Sequence, residues 1–256
     1  MTLKNVSQSR SLSDKIVIAT STLYNPDLES DILRSEIAKN TIRQSTSLGY
    51  ETIIVDCGSH DKLLKEFERY GAKVSNQKEK GMGNAKRQAI QEALDTKKEI
   101  ITWTEPEKQS FIKDVSKTAE PILENRADIV IPKRKSLKSY PVAQQYAEHF
   151  GNLFWKTLTG HDFDMWFGPR TWKRELSDYF LNYKSEYGDK WDIFFLPIID
   201  MMVDKKKLLS VEVNYTHPKK QTRLEEHSLE FCKKRIYQLD NLTKAIEDYW
   251  DKRHKT

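Results

Sequence analysis

Short continuous apolar runs alternate with amphipathic stretches along this chain, a pattern that predicts an α/β fold. Lys15 to Thr22 (K-I-V-I-A-T-S-T), Glu51 to Asp56 (E-T-I-I-V-D), Ala72 to Ser75, Ile100 to Trp103 and Asp128 to Pro132 have strand length and β-rich composition. Four helices are expected between them. The first starts at a capping Asp27, runs through Leu28, Ile32, Ile37, Ile42 and Leu48, and stops at Gly49. The second carries Leu63, Leu64, Phe67 and Tyr70 at three- and four-residue spacing and stops at Gly71. The third enters from Gly81-Met82-Gly83 and continues through Leu94, and the fourth covers Phe111 to Asn125. Repeated β-α units with short connections predict a mostly parallel central sheet with right-handed crossovers, flanked by helices.

The second half is less regular. Lys133-Arg134-Lys135 and Tyr140-Pro141 mark a basic loop, and Val142 to Thr159 reads as an aromatic-rich helix. Gly160 to Gly168 (G-H-D-F-D-M-W-F-G) is too dense in polar and aromatic groups for a simple connector. A helix is expected over Thr171 to Tyr183, an apolar segment over Trp191 to Val203 that is helical after Pro197, and a strand over Leu208 to Tyr215. Leu229 to Trp250 is a long amphipathic helix, expected to pack on the body, with pairing to a second copy as a homodimer the alternative. The implied organisation is a disordered leader at 1–14, a single domain at 15–225 with halves at 15–132 and 133–225, and a C-terminal helical segment at 226–256.

Composition narrows the partners. Charged residues make up 32% of the 256 and hydrophobic residues 38%, with a net charge of +5. That bias suits anionic ligands such as nucleotide phosphates, while no basic block is long enough for a nucleic-acid-binding arm, so none is expected as a partner. Two distant cysteines, Cys57 and Cys232, point to a reducing compartment. The start lacks the apolar core of a signal peptide, and no run reaches membrane-spanning length. A cytoplasmic protein is expected.

Several strand ends carry chemistry. Pro106 stops the run that begins at Ile100, so Glu105 and Glu107 fall just past a strand's C-terminal end, where open α/β sheets bind their ligands. Their oxygens suit a divalent cation, and His217, at the end of a later strand, is a candidate third ligand. A solvated acidic turn and a structural histidine are the competing readings. Asp56 can accept from a ribose or a base edge, or simply form a turn. Gly81-x-Gly83 is half of a dinucleotide fingerprint, and Lys86 and Arg87 at the next helix's start are phosphate candidates or a solvated face. Lys133 and Arg134 are candidates for phosphate or acceptor, with a solvated loop as the equal alternative. Asp162 and Asp164 are the candidate catalytic carboxylates, among His161, Phe163, Trp166 and Phe167, rings that suit carbohydrate; a capping or core-satisfied aspartate is the alternative.

In this order the motifs resemble those of GT-A glycosyltransferases of the family 2-like group, over most of Lys15 to about Arg223. Tyr24-Asn25 resembles the pair after the family's first strand. Asp56-Cys57-Gly58-Ser59-His60-Asp61 resembles D-G-G-S-T-D, with Cys57 in place of a glycine, and Gly81 to Ala85 resembles the glycine-containing segment before a helix. Glu105-Pro106-Glu107 occupies the place of D-x-D. Asp164-x-x-x-Gly168-Pro169-Arg170 resembles the acceptor-side D-x-x-x-G-[FP]-[RK], and Val213 to His217 the closing strand.

The resemblance implies a GT-A (Rossmann-like) fold whose first half binds a nucleoside-diphosphate-sugar donor and whose second half binds a small-molecule or glycan acceptor. Asp56, Ser59, Gly81, Gly83, Lys86 and Arg87 would bind the nucleotide, and Arg134, Trp166 and Arg170 the acceptor. Glu105, Glu107 and His217 would hold Mg²⁺ or Mn²⁺ at the leaving diphosphate. Asp164, or else Asp162, would be the base of an inverting transfer, whereas a retaining one needs none. Two other functions stay open. A nucleotidyltransferase would carry a glycine-rich phosphate loop after its first strand, and Ala19 to Asn25 holds no glycine. A catalytically inactive binding or scaffolding module is motivated by the departure from D-x-D.

Overall fold

The computed structural model describes residues 11–254. The expected leader at 1–14 therefore lies outside the described residues except for Ser11 to Asp14, where Leu12–Lys15 forms a 3₁₀ turn opened by Ser11. The chain continues through β1 (Ile16–Thr22), α1 (Glu29–Ser47), β2 (Glu51–Asp56), α2 (Asp61–Arg69), β3 (Lys73–Asn76), α3 (Met82–Asp95) and β4 (Ile100–Trp103). A 3₁₀ segment, Gln109–Asp114, leads into α4 (Val115–Leu123), β5 (Ile129–Arg134) and α5 (Val142–Thr159). Then follow β6 (Arg170–Lys173), α6 (Ser177–Leu181), α7 (Leu196–Val203), β7 (Leu208–Val213), α8 (Lys219–Glu225) and α9 (Leu229–His254). Among the described residues no helix is long and apolar enough to cross a membrane.

The strands form one seven-stranded sheet in the order β3-β2-β1-β4-β6-β5-β7, parallel except for β6. The strand period of two divides the core between the sheet's faces. Val17, Ala19, Ile101 and Trp103 join one cluster with Ala89, Trp155, Trp172 and Ile246, while Ile16, Ile18 and Ile100 join another with Phe111, Val115 and Val130. α9 lies on α5 and α7 and buries Leu242, Ala245 and Ile246, which is the expected packing of this helix on the body.

Two local expectations are corrected. α1 is capped by the backbone of Leu28 rather than by Asp27, and Leu28, Ile32 and Leu48 are exposed. Its inner face is Ser35, Ile37, Ala38, Thr41, Ile42 and Ser45, with the Ser45 hydroxyl 2.8 Å from that of Thr52 on β2. Small residues between Ile37 and Ile42 let the helix approach the sheet, and Leu28, Ile32 and Leu48 are left outside. The helix expected over Thr171 to Tyr183 instead opens as strand β6. There Trp172 is buried and donates to Ser177 Oγ (3.0 Å), and the Thr171 hydroxyl meets those of Thr102 (3.1 Å) and Thr118 (2.9 Å). Without β6, the facing backbone groups of β4 and β5 would stay unpaired inside the protein, so non-local pairing overrides the local periodicity.

Because β6 runs antiparallel, its first residue, Arg170, lies level with Trp103 at the end of β4, as Asp56 lies level with Thr22. The C-terminal ends of β1, β2 and β4 and the start of β6 thus share one edge of the sheet.

Candidate functional site

At this edge the first pair of loops is locked together by Asp56. Its carboxylate is 1% exposed; Oδ1 accepts from Thr22 Oγ1 (2.7 Å), and Oδ2 from the backbone N–H groups of Gly58 (2.8 Å) and Ser59 (2.7 Å). Ser59 Oγ in turn accepts from the Tyr24 N–H at 3.0 Å. Asp56 and Ser59 therefore hold the β1–α1 loop against the β2–α2 loop. Burial pushes the neighbouring Cys57 thiol up to about 11, so it stays a thiol at neutral pH.

Glu107 closes the same corner from β4. It accepts from Arg34 Nη2 at 2.7 Å and from the Tyr24 hydroxyl at 3.0 Å, and Arg34 also holds Asp31 at 3.0 Å and lies over the Tyr24 ring. Burial and then Glu107 hold the Tyr24 hydroxyl well above its usual range. Arg34 gave no signal in the sequence, since α1 reads there as one face of a periodic helix.

Glu105, two residues earlier, is arranged differently. Its Oε2 is buried with no hydrogen-bond partner among the described residues. The side chain lies against Gly168, where a Cβ would approach Oε1 to 1.6 Å, so that contact requires glycine. Its charge acts on Lys86, Lys108 and Arg170. Lys108 donates to the Tyr140 hydroxyl (3.2 Å), and its ammonium lies 5.3, 5.5 and 5.1 Å from the ring centres of Tyr140, Phe167 and Tyr215. Lys108 adjoins the acidic pair in T-E-P-E-K, the one sequence signal that marked it.

His217 does not join the glutamates. It stacks on Tyr140 at 4.4 Å, and Nε2 faces Glu225 on α8 at 3.4 Å. Burial, ahead of Lys108, lowers its pKa, which keeps it neutral at physiological pH. With Glu107 held by Arg34 and Tyr24, the expected three-ligand metal set is not assembled, and among the described residues no group of three His, Cys, Asp or Glu could hold an ion. The residues present do not fit a divalent-metal centre.

The glycine segment is pinned beneath the 185–192 loop. Gly81 opens α3 at φ +119°, and a Cβ on Gly83 would meet the Asp189 carboxylate at 2.1 Å. Arg87 pairs with Asp189 through both Nη atoms, one at 2.8 Å, and Lys86 donates to the Lys190 carbonyl. Burial drives the Lys86 amine down to about 8 against the opposing pull of Glu105. Both cations thus face protein oxygens of a loop that the sequence reading did not connect with them.

Arg134 is the centre of the second half. Its guanidinium, wholly buried, donates from Nε and Nη2 to Asp164 (both 2.7 Å) and from Nη1 to Glu148. Asp164, 5% exposed, also accepts from the Arg134 N–H (3.1 Å) and Asn152 Nδ2 (2.8 Å). Burial raises the Asp164 carboxyl, but Arg134 outweighs it and the net direction is down. Asp162 is different: its side chain is 59% exposed, 2.7 Å from Lys133 and 4.0 Å from Lys156, and the Lys133 hydrogen bond lowers its pKa. Trp166 is buried edge-on to Phe195 over Gly151. Arg170 has no exposed surface and donates to the carbonyls of Met165 (2.7 Å), Phe167 and Pro169 (2.7 Å). Trp166 and Arg170 therefore build the loop floor. Glu148 and Tyr140, which complete this network, lie on or before α5 and carried no motif.

The model for glycosyl transferase family 2 matches residues 34–182, more than half of the chain. Glucosyl-3-phosphoglycerate synthase from Mycobacterium tuberculosis, bound to phosphoglyceric acid, is similar in structure, with a TM-score of 0.62 at 14% identity over 93% of this chain and 79% of that one. The same synthase with Mn²⁺, UDP-glucose and phosphoglyceric acid gives 0.60 at 15% identity over the same shares. A mycobacterial protein gives 0.63 at 13% identity, covering 93% of this chain and 74% of that one. None of the curated proteins matches. The structural neighbours share the GT-A fold, and the family match over residues 34–182 carries the assignment: the chain belongs to glycosyl transferase family 2 and is a nucleotide-sugar-dependent glycosyltransferase.

Proposed function

We propose that the sheet edge between the Asp56 turn and the Glu105 turn takes a UDP-sugar, and that a small-molecule acceptor enters beside the exposed Lys133–Asp162 pair. The observation that carries this reading is the convergence of the β1, β2 and β4 ends on one preorganised corner, with Asp56 accepting from Thr22, Gly58 and Ser59 and Glu107 Oε1 held by Arg34 and Tyr24. A turn held this firmly presents its outer backbone groups to a ligand at little ordering cost. The synthase's complex with UDP-glucose and phosphoglyceric acid supports a uridine donor and a small acceptor.

Chemically, the sugar's anomeric C–O bond breaks with its electron pair moving to the diphosphate, and the acceptor oxygen forms the new bond. Of the two candidate bases, Asp162 can touch an acceptor hydroxyl, since Asp164 is fully engaged by Arg134 and Asn152. Asp164 then acts by positioning Arg134 and the loop floor. The neighbours bind Mn²⁺ or Mg²⁺ with UDP. Here the donor set does not fit such an ion, and no step is derived through one.

Calorimetry with UDP- and GDP-sugars tests the donor, and UDP release with candidate acceptors tests the transfer. Saturable binding of a UDP-sugar is the expected result; no binding of any nucleotide sugar would overturn this reading. Asp162→Asn is expected to lower kcat more than tenfold with donor KM little changed, and unchanged kcat would remove it as the base.

A further inference from the structure

The surroundings of Glu105 are rich in cations and poor in free ligand oxygens. Lys108 lies in the electrostatic field of Glu105 and itself acts on His217, the two elements between which a metal would have to lie. It donates to Tyr140, the ring on which His217 stacks. Arg134 presents a second cation to two of the same rings, 4.9 Å from Tyr140 and 4.8 Å from Phe167. Glu105 Oε2 has no hydrogen-bond partner among the described residues, but Glu107 Oε1 is held by Arg34 and Tyr24 and His217 Nε2 faces Glu225, so an ion entering beside Lys108 would not meet three converging ligands. Lys108 is half-buried as a residue, and among the described residues its ammonium makes one hydrogen bond, to Tyr140, leaving two of its three donors unused.

We propose that Lys108, rather than a divalent cation, carries the positive charge that stabilises the departing diphosphate, so that this glycosyltransferase is metal-independent. The inference rests on the nucleotide-sugar reading above. As the anomeric C–O bond breaks, its electron pair goes to the diphosphate oxygen, and Lys108 donates hydrogen bonds to the developing charge without giving up its proton. The acceptor hydroxyl forms the new bond and releases its proton to a carboxylate or to water. A fixed ammonium in a partly desolvated aromatic cage needs no reorganisation as this charge grows. Burial pulls the Lys108 pKa down, but Tyr140 and Glu105 outweigh it, so the amine stays protonated through the physiological range.

The test uses the full chain and its UDP-sugar donor, with and without EDTA and with added Mn²⁺. UDP affinity by calorimetry and kcat are both expected to stay within about twofold across these conditions. Lys108→Met, of similar length and able to fill the cage, is expected to lower kcat at least ~100-fold, the scale for losing one transition-state donor, and UDP affinity about tenfold. Lys108→Arg is expected to recover part of both, which a purely structural role would not require. Turnover abolished by EDTA and restored by Mn²⁺ would overturn the proposal without any variant, as would wild-type kcat in a folded Lys108→Met. Failure of the wild-type chain to bind any nucleotide sugar is a separate result, which overturns the donor reading and this inference with it.

Discussion

Buried ionisable side chains in this protein are almost all paired, and the pairings decide which residues can act. Arg134 holds two buried carboxylates, Asp164 and Glu148, and removing it takes from both the cation they are hydrogen-bonded to. Arg134→Met is therefore expected to cost ~3–5 kcal/mol in urea unfolding, and a loss below ~1 kcal/mol would show that the triad contributes little. Lys86 permits a pH test with a definite sign. Its folded value is about 8 against an ordinary 10.5, so between those limits the unfolded chain binds more protons and stability rises with pH. Below about pH 8 the burial penalty is present in full. Lys86→Met should be more stable than the wild type at pH 7, by ~1–3 kcal/mol, and should lose the rise in Tm from pH 8 to 10. A wild-type and variant difference that does not change with pH would contradict the depressed value.

At the scale of elements, the site depends on two loops that touch through one missing side chain. The Glu105 turn after β4 and the Gly160 to Gly168 loop before β6 meet where Gly168 leaves room for the Glu105 carboxylate. Gly168→Ala puts a Cβ where Glu105 Oε1 lies, and one of the two loops must move. A fall in kcat of tenfold or more, with a Tm lower by several degrees, is expected from activity and thermal melts; unchanged kcat would show that the two loops are not coupled in catalysis. The elements around this contact were unevenly legible. Glu105 and Glu107 were placed correctly at a strand end because an apolar run, a proline and a polar turn are local signals. β6 was missed because its four residues become a strand only through β4 and β5, which are distant in sequence.

For the whole molecule, the expected halves at 15–132 and 133–225 share one sheet, with β6 of the second half inserted between β4 and β5. α9 then covers one face through Leu242, Ala245 and Ile246. A single cooperative transition in urea is expected, with Leu242→Ala shifting it by ~2–4 kcal/mol. Two separated transitions would instead mark the halves as independent units.

The order of strands and helices from β1 to β5, the strand-end positions of Asp56 and Glu105, and the family were legible in the sequence itself, because period, turn residues and motif spacing are properties of neighbouring residues. Which charge meets which was decided only in three dimensions. Arg34 reaches Glu107 and Lys108 enters a cage built from Tyr140, Phe167 and Tyr215. His217 turns to Glu225 and Asp164 to Arg134. Each pairing joins segments far apart in the chain, and a buried charge takes whatever partner the packed fold brings within reach.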